Sequence, residues 1–184
     1  MKKVFIDCGA WKGDTIIKFL EETLDAHEYE IHAFEPNPLF HDVLSKLPCI
    51  LHKEAVWDDY CYKDFGITQD HDLGSTLIKE KTSGNPDWNN PLRVACLNFS
   101  DWISTNFSND DYIVVDMDVE GAEYRVLKRM IATGSIRRIK KLIVEFHQKK
   151  CKIDIQEHDH LYTQLEKHLK AASSYKDVMT FESL

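Results

Sequence analysis

The sequence predicts an α/β fold, built as a single doubly wound, mostly parallel sheet with helices on both faces. Short apolar runs alternate with helical patterns along the chain, which is typical of right-handed βαβ crossovers. A glycine-containing turn follows the first of these runs. In residues 112–123, an apolar strand ends in carboxylates and leads directly into a helix. Since the carboxyl ends of parallel strands line the ligand crevice, these charges indicate an enzyme site.

The first βαβ unit is expected to begin with a strand over 3–7 and a helix over 14–24. Gly9 and Gly13 lie in the turn between them, where glycine allows a positive φ and a close approach to a ligand. The spacing of these glycines is not G-x-G-x-x-G, so the turn does not favour a pyrophosphate. Either Asp14 or Thr15 is suited to cap the helix.

The second strand is expected over 30–34 and carries an acid, Glu35, at its end. A carboxylate at this position is placed to accept both hydroxyls of an adenosine ribose. A solvated strand-end charge is the alternative interpretation of Glu35. Pro36 and Pro38 then start the next helix, over 38–46.

The later elements follow the same alternation, except in the middle of the chain. Strands are predicted over 50–56, 112–117 and 140–146, and helices over 99–106, 121–132 and 157–171. The segment 58–97 shows no clear element. Long loops in compact domains are usually functional, so this segment is predicted to be a lid or an acceptor-recognition insertion.

Four ionisable groups are expected to converge at one end of the sheet. Asp116 and Asp118 are two residues apart, as are Glu145 and His147, and such pairs share a face of a strand. If the two strands are neighbours, the crowded carboxylates need a cation, a hydrogen-bond donor or a proton. A magnesium or manganese ion on Asp116, Asp118 and Glu145 would fulfil this need.

Each of these groups also has a purely structural interpretation. Asp118 or Glu120 can cap the helix that opens at Gly121, and Glu120 and Glu123 suit the first turn of a helix. His147 can be a hydrogen-bonded strand-end histidine. Its place beside Glu145 equally suits a general base.

Composition indicates one domain over 1–184 that acts in the cytoplasm. No run of eighteen apolar residues is present, and the sequence shows neither a membrane span nor a signal peptide. The five cysteines form no C-x-x-C pair, which favours reduced thiols over a disulfide scaffold or a zinc site. The net charge of −8 argues against a nucleic-acid partner. The basic cluster 137–141 suits a solvated connector.

Several motifs together resemble the FkbM-type S-adenosylmethionine-dependent methyltransferases, in order and over most of the chain. Their positions are 5–14, 34–37, 55–58, 74–77, 116–123 and 142–147, and the phrase D-V-E-G-A-E is the most specific of them. The resemblance implies a class I, Rossmann-like methyltransferase fold. It also implies methyl transfer from S-adenosyl-L-methionine to a hydroxyl, most often of a sugar, a glycan or a natural product.

The resemblance assigns the cofactor to the turn and strand ends. Asp7, Gly9 and Gly13 would cradle its methionine part and Glu35 its ribose, while 36–37 and 55–57 would border the adenine. The full set of cofactor-binding residues expected on this basis is Asp7, Gly9, Ala10, Gly13, Thr15, Glu35, Pro36, Asn37, Ala55, Val56, Trp57 and Asp116. The cofactor has no phosphate, which accounts for the departure from the dinucleotide fingerprint.

Direct in-line transfer requires a group that takes the proton of the acceptor hydroxyl. The preferred base is His147 and the second choice is Asp118, with Glu145 as a further catalytic acid of the site. A divalent ion on the acidic groups would lower the pKa of the hydroxyl instead. Ser75 and Thr76 are the residues expected to hydrogen-bond the acceptor.

Three features depart from the family's usual pattern. Trp11 stands where the family commonly has asparagine, and Asp116 stands where it commonly has lysine. After residue 171, only 175–181 is expected to form a strand, so the terminal hairpin should be reduced or completed by the second subunit of a homodimer.

Two other functions remain open at this stage. One is a binding module that keeps the cofactor pocket without catalysis, which Trp11 and Asp116 allow. The other is a nucleotide-dependent oxidoreductase, which would need a phosphate-binding turn that the sequence lacks.

Overall fold

A computed structural model of the chain describes residues 1–69, 73–175 and 178–183. The strands are β1 Lys3–Cys8, β2 Tyr29–Phe34, β3 Ile50–His52, β4 Ala55–Trp57, β5 Cys61–Thr68, β6 Pro86–Asn98, β7 Tyr112–Met117, β8 Ile139–Glu145, β9 Leu169–Tyr175 and β10 Val178–Ser183. The α-helices are α1 Asp14–Glu22, α2 His41–Leu44, α3 Phe99–Asn106, α4 Glu123–Thr133 and α5 Ile155–Glu166. Short 3-10 helices lie at Ala26–Glu28, Pro38–Phe40 and Ser135–Arg138.

Seven strands form the large sheet, in the order β3-β2-β1-β7-β8-β10-β9. The first five of these are parallel, and β10 is antiparallel to both of its neighbours. In chain order, β2 and β3 are added on one side of β1, and β7 and β8 are added later on its other side. The order therefore reverses between β1 and β7, and in open α/β sheets ligands bind at such a point.

Alternating side chains of β1 pack into two separate cores. Val4 and Ile6 lie with buried residues of α3, α4 and α5. Phe5 points to the opposite face and packs with Ile16 of α1 and Leu44 of α2. This alternation explains why β1 is a continuous apolar run, since both of its faces are covered.

The predicted strand over 50–56 is two strands that belong to different sheets. β3 pairs with β2 in the large sheet, whereas β4 pairs with β6 in a second sheet of order β4-β6-β5. The segment 58–97 is correspondingly not a long loop, because half of it forms β5 and β6. Its predicted role as a lid or acceptor-recognition segment remains a prediction.

The C-terminal region also differs from the prediction. The last helix ends at Glu166 instead of residue 171, and Leu169 begins β9. β9 and β10 pair in antiparallel orientation within one chain. The expected reduction of this hairpin is therefore wrong, and the hairpin needs no second subunit to complete it.

None of the helices in the described parts of the chain is long and apolar enough to cross a membrane.

Candidate active site

Backbone amides of the turn after β1 donate hydrogen bonds to other groups of the protein. The amides of Gly9 and Ala10 both donate to the carbonyl oxygen of Phe34 at 3.0 Å, and that of Gly13 donates to Ala10 at 2.7 Å. Gly9 has a φ of +91°, and a Cβ built there would lie 2.0 Å from the carbonyl oxygen of Asp118. Glycine is therefore required where this turn passes the end of β7. A turn whose amides are already bonded is poorly suited to cradle a phosphate.

Glu35 is a buried carboxylate and not a solvated strand-end charge, since only 6% of its surface is exposed. Its Oε2 accepts from the amide of Trp11 at 2.9 Å, and its Oε1 accepts from the amide of Asn37 at 2.7 Å. Burial raises the pKa of Glu35 to about 7, although these two hydrogen bonds act in the opposite direction.

A cleft opens at the carboxyl ends of β1, β2 and β7, where ligands of open α/β sheets bind. Eight residues predicted from the sequence line it: Gly9, Glu35, Pro36, Asn37, Ala55, Val56, Ser75 and Asp118. Further apolar residues complete its walls: Trp11, Phe34, Phe40, Phe65, Leu73, Leu77, Val119 and Ala122.

Three of the predicted turn residues lie beneath the cleft and do not line it. Asp7 is 3% exposed, and its Oδ2 has no hydrogen-bond partner among the described residues. Burial, and then the charge of Asp116, raises the pKa of Asp7 well above its usual value. Ala10 is buried. A Cβ at Gly13 would lie 2.2 Å from Cδ1 of Leu47, so Gly13 shapes the start of α1.

A second cavity lies next to the cleft. The predicted residues Thr15, Asp116 and Glu145 line this cavity, and not the cofactor cleft. Asp118 lines both spaces. The predicted contact of Thr15 and Asp116 with the cofactor is thus at odds with their position.

Two further predictions do not fit the structure. Trp57 faces away from the cleft, where Nζ of Lys63 lies 4.7 Å and Cζ of Arg125 lies 5.1 Å from its ring centroid. The Thr76 hydroxyl donates to the Glu120 carbonyl oxygen at 2.7 Å and is fully buried, so it is not available to an acceptor. Strand-end position alone could not reveal either orientation.

His147 lies at the centre of a cluster of carboxylates. Its Nε2 is 3.4 Å from Asp118 Oδ1, 3.1 Å from Glu120 Oε2 and 3.3 Å from Glu145 Oε1. Its Nδ1 lies 3.3 Å from Glu123 Oε1. Asp118, Glu145 and His147, which were predicted to converge, do come together here. Asp116 does not join them.

Glu120 was assigned only a helix-end role from the sequence, yet it belongs to this cluster. The chain turns at Glu120 through a φ of +52°, and Nζ of Lys81 lies 2.8 Å from its Oε2. Its spacing of two residues from Asp118 is a signal that could have suggested a shared site. By contrast, Glu123 has the predicted structural role, since it accepts hydrogen bonds from the amides of Gly121 and His147, both at 2.8 Å.

The electrostatics of the cluster change the expected role of His147. Burial lowers the pKa of this imidazole, but Glu123 and Glu145 raise it further, to about 10. A histidine that is protonated at neutral pH cannot accept a proton, which argues against the prediction that His147 is the general base. Asp118 keeps 47% of its side chain accessible within the cleft. The surrounding walls desolvate Asp118 and raise its pKa to about 7, while His147 lowers it.

Residues 7–171 match the family model of the methyltransferase FkbM domain. The chain belongs to the FkbM methyltransferase family. This finding confirms the resemblance drawn from the sequence. S-adenosylmethionine is the methyl donor of this family in general.

A solved FkbM methyltransferase from Methylobacillus flagellatus KT has a similar structure, with a TM-score of 0.57 and 12% sequence identity. The similarity covers 98% of this chain and 43% of that protein, so the chain spans less than half of its length. At this identity the likeness shows a shared fold alone. No curated protein matches the chain.

Proposed function

We propose that this FkbM methyltransferase transfers a methyl group from S-adenosyl-L-methionine to a hydroxyl of a small molecule, with a sugar or glycan as the acceptor class. The fold is proposed to be the doubly wound, Rossmann-like type of class I methyltransferases. The order of the parallel strands, with its reversal between β1 and β7, supports this assignment.

The residues of the cleft fit the cofactor. Glu35 has both carboxylate oxygens placed at the end of β2, where they can also accept ribose hydroxyls. Pro36, Asn37, Ala55 and Val56 would border the adenine, and the Gly9 turn would hold the methionine part. The cofactor supplies an electrophilic methyl group on a sulfonium when it is bound.

The position of Asp118 is the observation that carries the proposal. Asp118 is shared by the cleft and the second cavity, so it lies where a cofactor in one space meets an acceptor in the other. Its carboxylate is placed to orient the acceptor hydroxyl and to take its proton. The second cavity offers charged groups of both signs, including Lys18, Asp116 and Lys141, which suits a molecule with many hydroxyls.

Two features bear on the alternative functions. The internal hydrogen bonds of the Gly9 turn disfavour a nucleotide-dependent oxidoreductase. Trp11 lines the cleft beside Phe40, with ring centroids 6.2 Å apart, so it forms a wall of the cavity. A catalytically silent module would bind the cofactor without transferring its methyl group, and that is an outcome of the test below.

All five cysteines are free thiols, which supports a reducing, cytoplasmic compartment.

The test is transfer of isotope-labelled methyl from S-adenosylmethionine to a panel of sugars and glycans, by the parent and by Asp118→Asn. We expect the variant to lose about 10²–10⁴ in turnover, because the proton acceptor is lost. Its affinity for S-adenosylhomocysteine should change only a few-fold. Asp64→Asn, on the exposed edge of the second sheet, is the matched control and should behave as the parent. Equal turnover in Asp118→Asn and the parent would reject this role.

A further inference from the structure

We propose that Asp118, Glu120 and His147 form a binding site for a divalent cation of the manganese type, with Glu145 beside them. The inference deepens the proposed function, since Asp118 and Glu120 also line the cofactor cleft. It replaces the ligand set expected from the sequence, because Asp116 is not among the grouped ligands. Among the described residues, one ligand atom from each of Asp118, Glu120 and His147 lies within 4.8 Å of the others.

The spacing of these atoms is that of ligands around one ion. Oxygens of Asp118, Glu120 and Glu145 lie 3.1–3.4 Å from Nε2 of His147. Adjacent ligands on an octahedral ion with bonds of about 2.1 Å are separated by about 3 Å. The oxygens of Asp118 and Glu120 and the ring nitrogen of His147 can thus surround a common centre after small side-chain movements, with Glu145 beside them.

The buried, unpartnered ring nitrogens of His147 are a second and independent indication of a bound ligand. Its side chain is fully buried, and neither of its ring nitrogens has a hydrogen-bond partner among the described residues. Buried polar atoms without partners are rare, because the cost of removing them from water is not offset by a hydrogen bond. The nearby oxygens are close enough but are not in line with the ring nitrogens. An ion bound to Nε2 would satisfy this nitrogen and would lie among the nearby carboxylate oxygens.

Glu123 is placed to fix the orientation of the imidazole. Its Oε1 lies 3.3 Å from Nδ1 and accepts the backbone amide of His147. Histidines that bind metals usually direct their second ring nitrogen to a carboxylate or carbonyl, which leaves the other nitrogen free for the metal. Here the Glu123 carboxylate lies beside Nδ1, where a small rotation of the ring would make this hydrogen bond.

The local charge balance leaves room for a dication. Four carboxylates surround His147, from Asp118, Glu120, Glu123 and Glu145. Two lysines accompany them, since Nζ of Lys81 lies 2.8 Å from Glu120 and Nζ of Lys150 lies 3.3 Å from Glu145. Binding of a metal ion to Nε2 would displace the proton of His147, and with the imidazole neutral the excess negative charge of the carboxylates over the two lysines equals that of one divalent ion.

The ligand chemistry indicates which ions fit. Carboxylate oxygens suit magnesium and manganese, whereas an imidazole nitrogen favours a transition metal. Manganese satisfies both preferences. Because two of its ligands line the cleft, such an ion would face the meeting point of the cofactor and the acceptor. An acceptor with adjacent hydroxyls could ligate the ion there, which would lower the pKa of the reacting hydroxyl.

The experiment titrates the full chain with Mn²⁺ after removal of metals with a chelator. Calorimetry counts the bound ions, and pulsed electron paramagnetic resonance detects coupling of the bound Mn²⁺ to an imidazole nitrogen. We expect one ion per chain with this coupling. Asp118→Asn and Glu120→Gln should each weaken binding at least tenfold, whereas Asp116→Asn should bind within about threefold of the parent.

Several outcomes would overturn the inference. These are no binding of Mn²⁺ by the parent, bound Mn²⁺ without nitrogen coupling, or equal loss of affinity in Asp116→Asn. The first would mean that a protonated His147 alone balances the carboxylates. Thermal unfolding of each variant identifies loss of folding, and Glu120→Gln provides a second test if Asp118→Asn is unstable.

S-adenosylhomocysteine binding, measured on the metal-free chain, separates this inference from the proposed function. If S-adenosylhomocysteine binds and Mn²⁺ does not, the metal site fails and the methyltransferase assignment stands. If neither ligand binds, both proposals fail.

Discussion

At the scale of single residues, Glu35 shows how a buried strand-end acid prepares a binding site. Two backbone amides hold its carboxylate in place, while burial raises its pKa to about 7. Between pH 4.5 and about 7 the unfolded chain releases this proton and the folded chain keeps it. Rising pH therefore lowers the stability of the free protein in that window.

This behaviour predicts a pH dependence of cofactor binding. The ionised form of Glu35 accepts ribose hydroxyls best, so affinity for S-adenosylhomocysteine should rise as the pH passes through about 7. Glu35→Gln should bind about 10–100-fold more weakly at pH 8, since hydrogen bonds to charged groups contribute roughly 1.5–3 kcal/mol. Its affinity should also change little between pH 6 and 8. Calorimetry at both pH values measures this, with Glu54→Gln as the control.

An equal pH dependence in Glu35→Gln and in the parent would show that another group controls binding.

The sequence could predict strand-end residues much better than residues in turns. Glu35, Asp118 and Glu145 could be placed because apolar runs define where their strands end. The contribution of Glu120 depends on a left-handed turn, and the burial of Thr76 depends on a contact 44 positions away in the chain. Neither feature can be predicted from the neighbouring residues in the sequence.

At the scale of elements, the second sheet forms one wall of the cleft. Phe65 of β5 lines the cleft, together with Leu73, Gly74, Ser75 and Leu77. The sequence did not predict the second sheet, because β6 contains prolines and asparagines, which usually mark turns. The hairpin was missed for a similar reason, since β9 contains alanines, serines and a lysine, which have low strand preference.

The predicted lid role gives the second sheet a measurable property. S-adenosylhomocysteine should bury the stretch 73–77, so hydrogen exchange of these amides should slow when it binds. Exchange in β9, at the far edge of the large sheet, should not change and provides the internal control. Unchanged exchange over 73–77 at saturating ligand would exclude this segment as a cover of the site.

At the scale of the whole molecule, the large sheet brings distant parts of the chain to one edge. β1 and β7 are adjacent, with Asp7 beside Asp116, although more than a hundred positions separate them. This pairing could be expected from alternating strands and helices. The distribution of the acids between a cleft and a second cavity could not be expected from the sequence. It depends on how the second sheet packs over the first.

Unfolding of the chain in the presence of S-adenosylhomocysteine or NAD tests the central claim most directly, namely that the cleft binds an S-adenosyl cofactor. At about a hundred times its dissociation constant, S-adenosylhomocysteine should stabilise the fold by about 2.7 kcal/mol, and NAD should leave it unchanged. No stabilisation by S-adenosylhomocysteine, or an equal effect of NAD, would contradict the account.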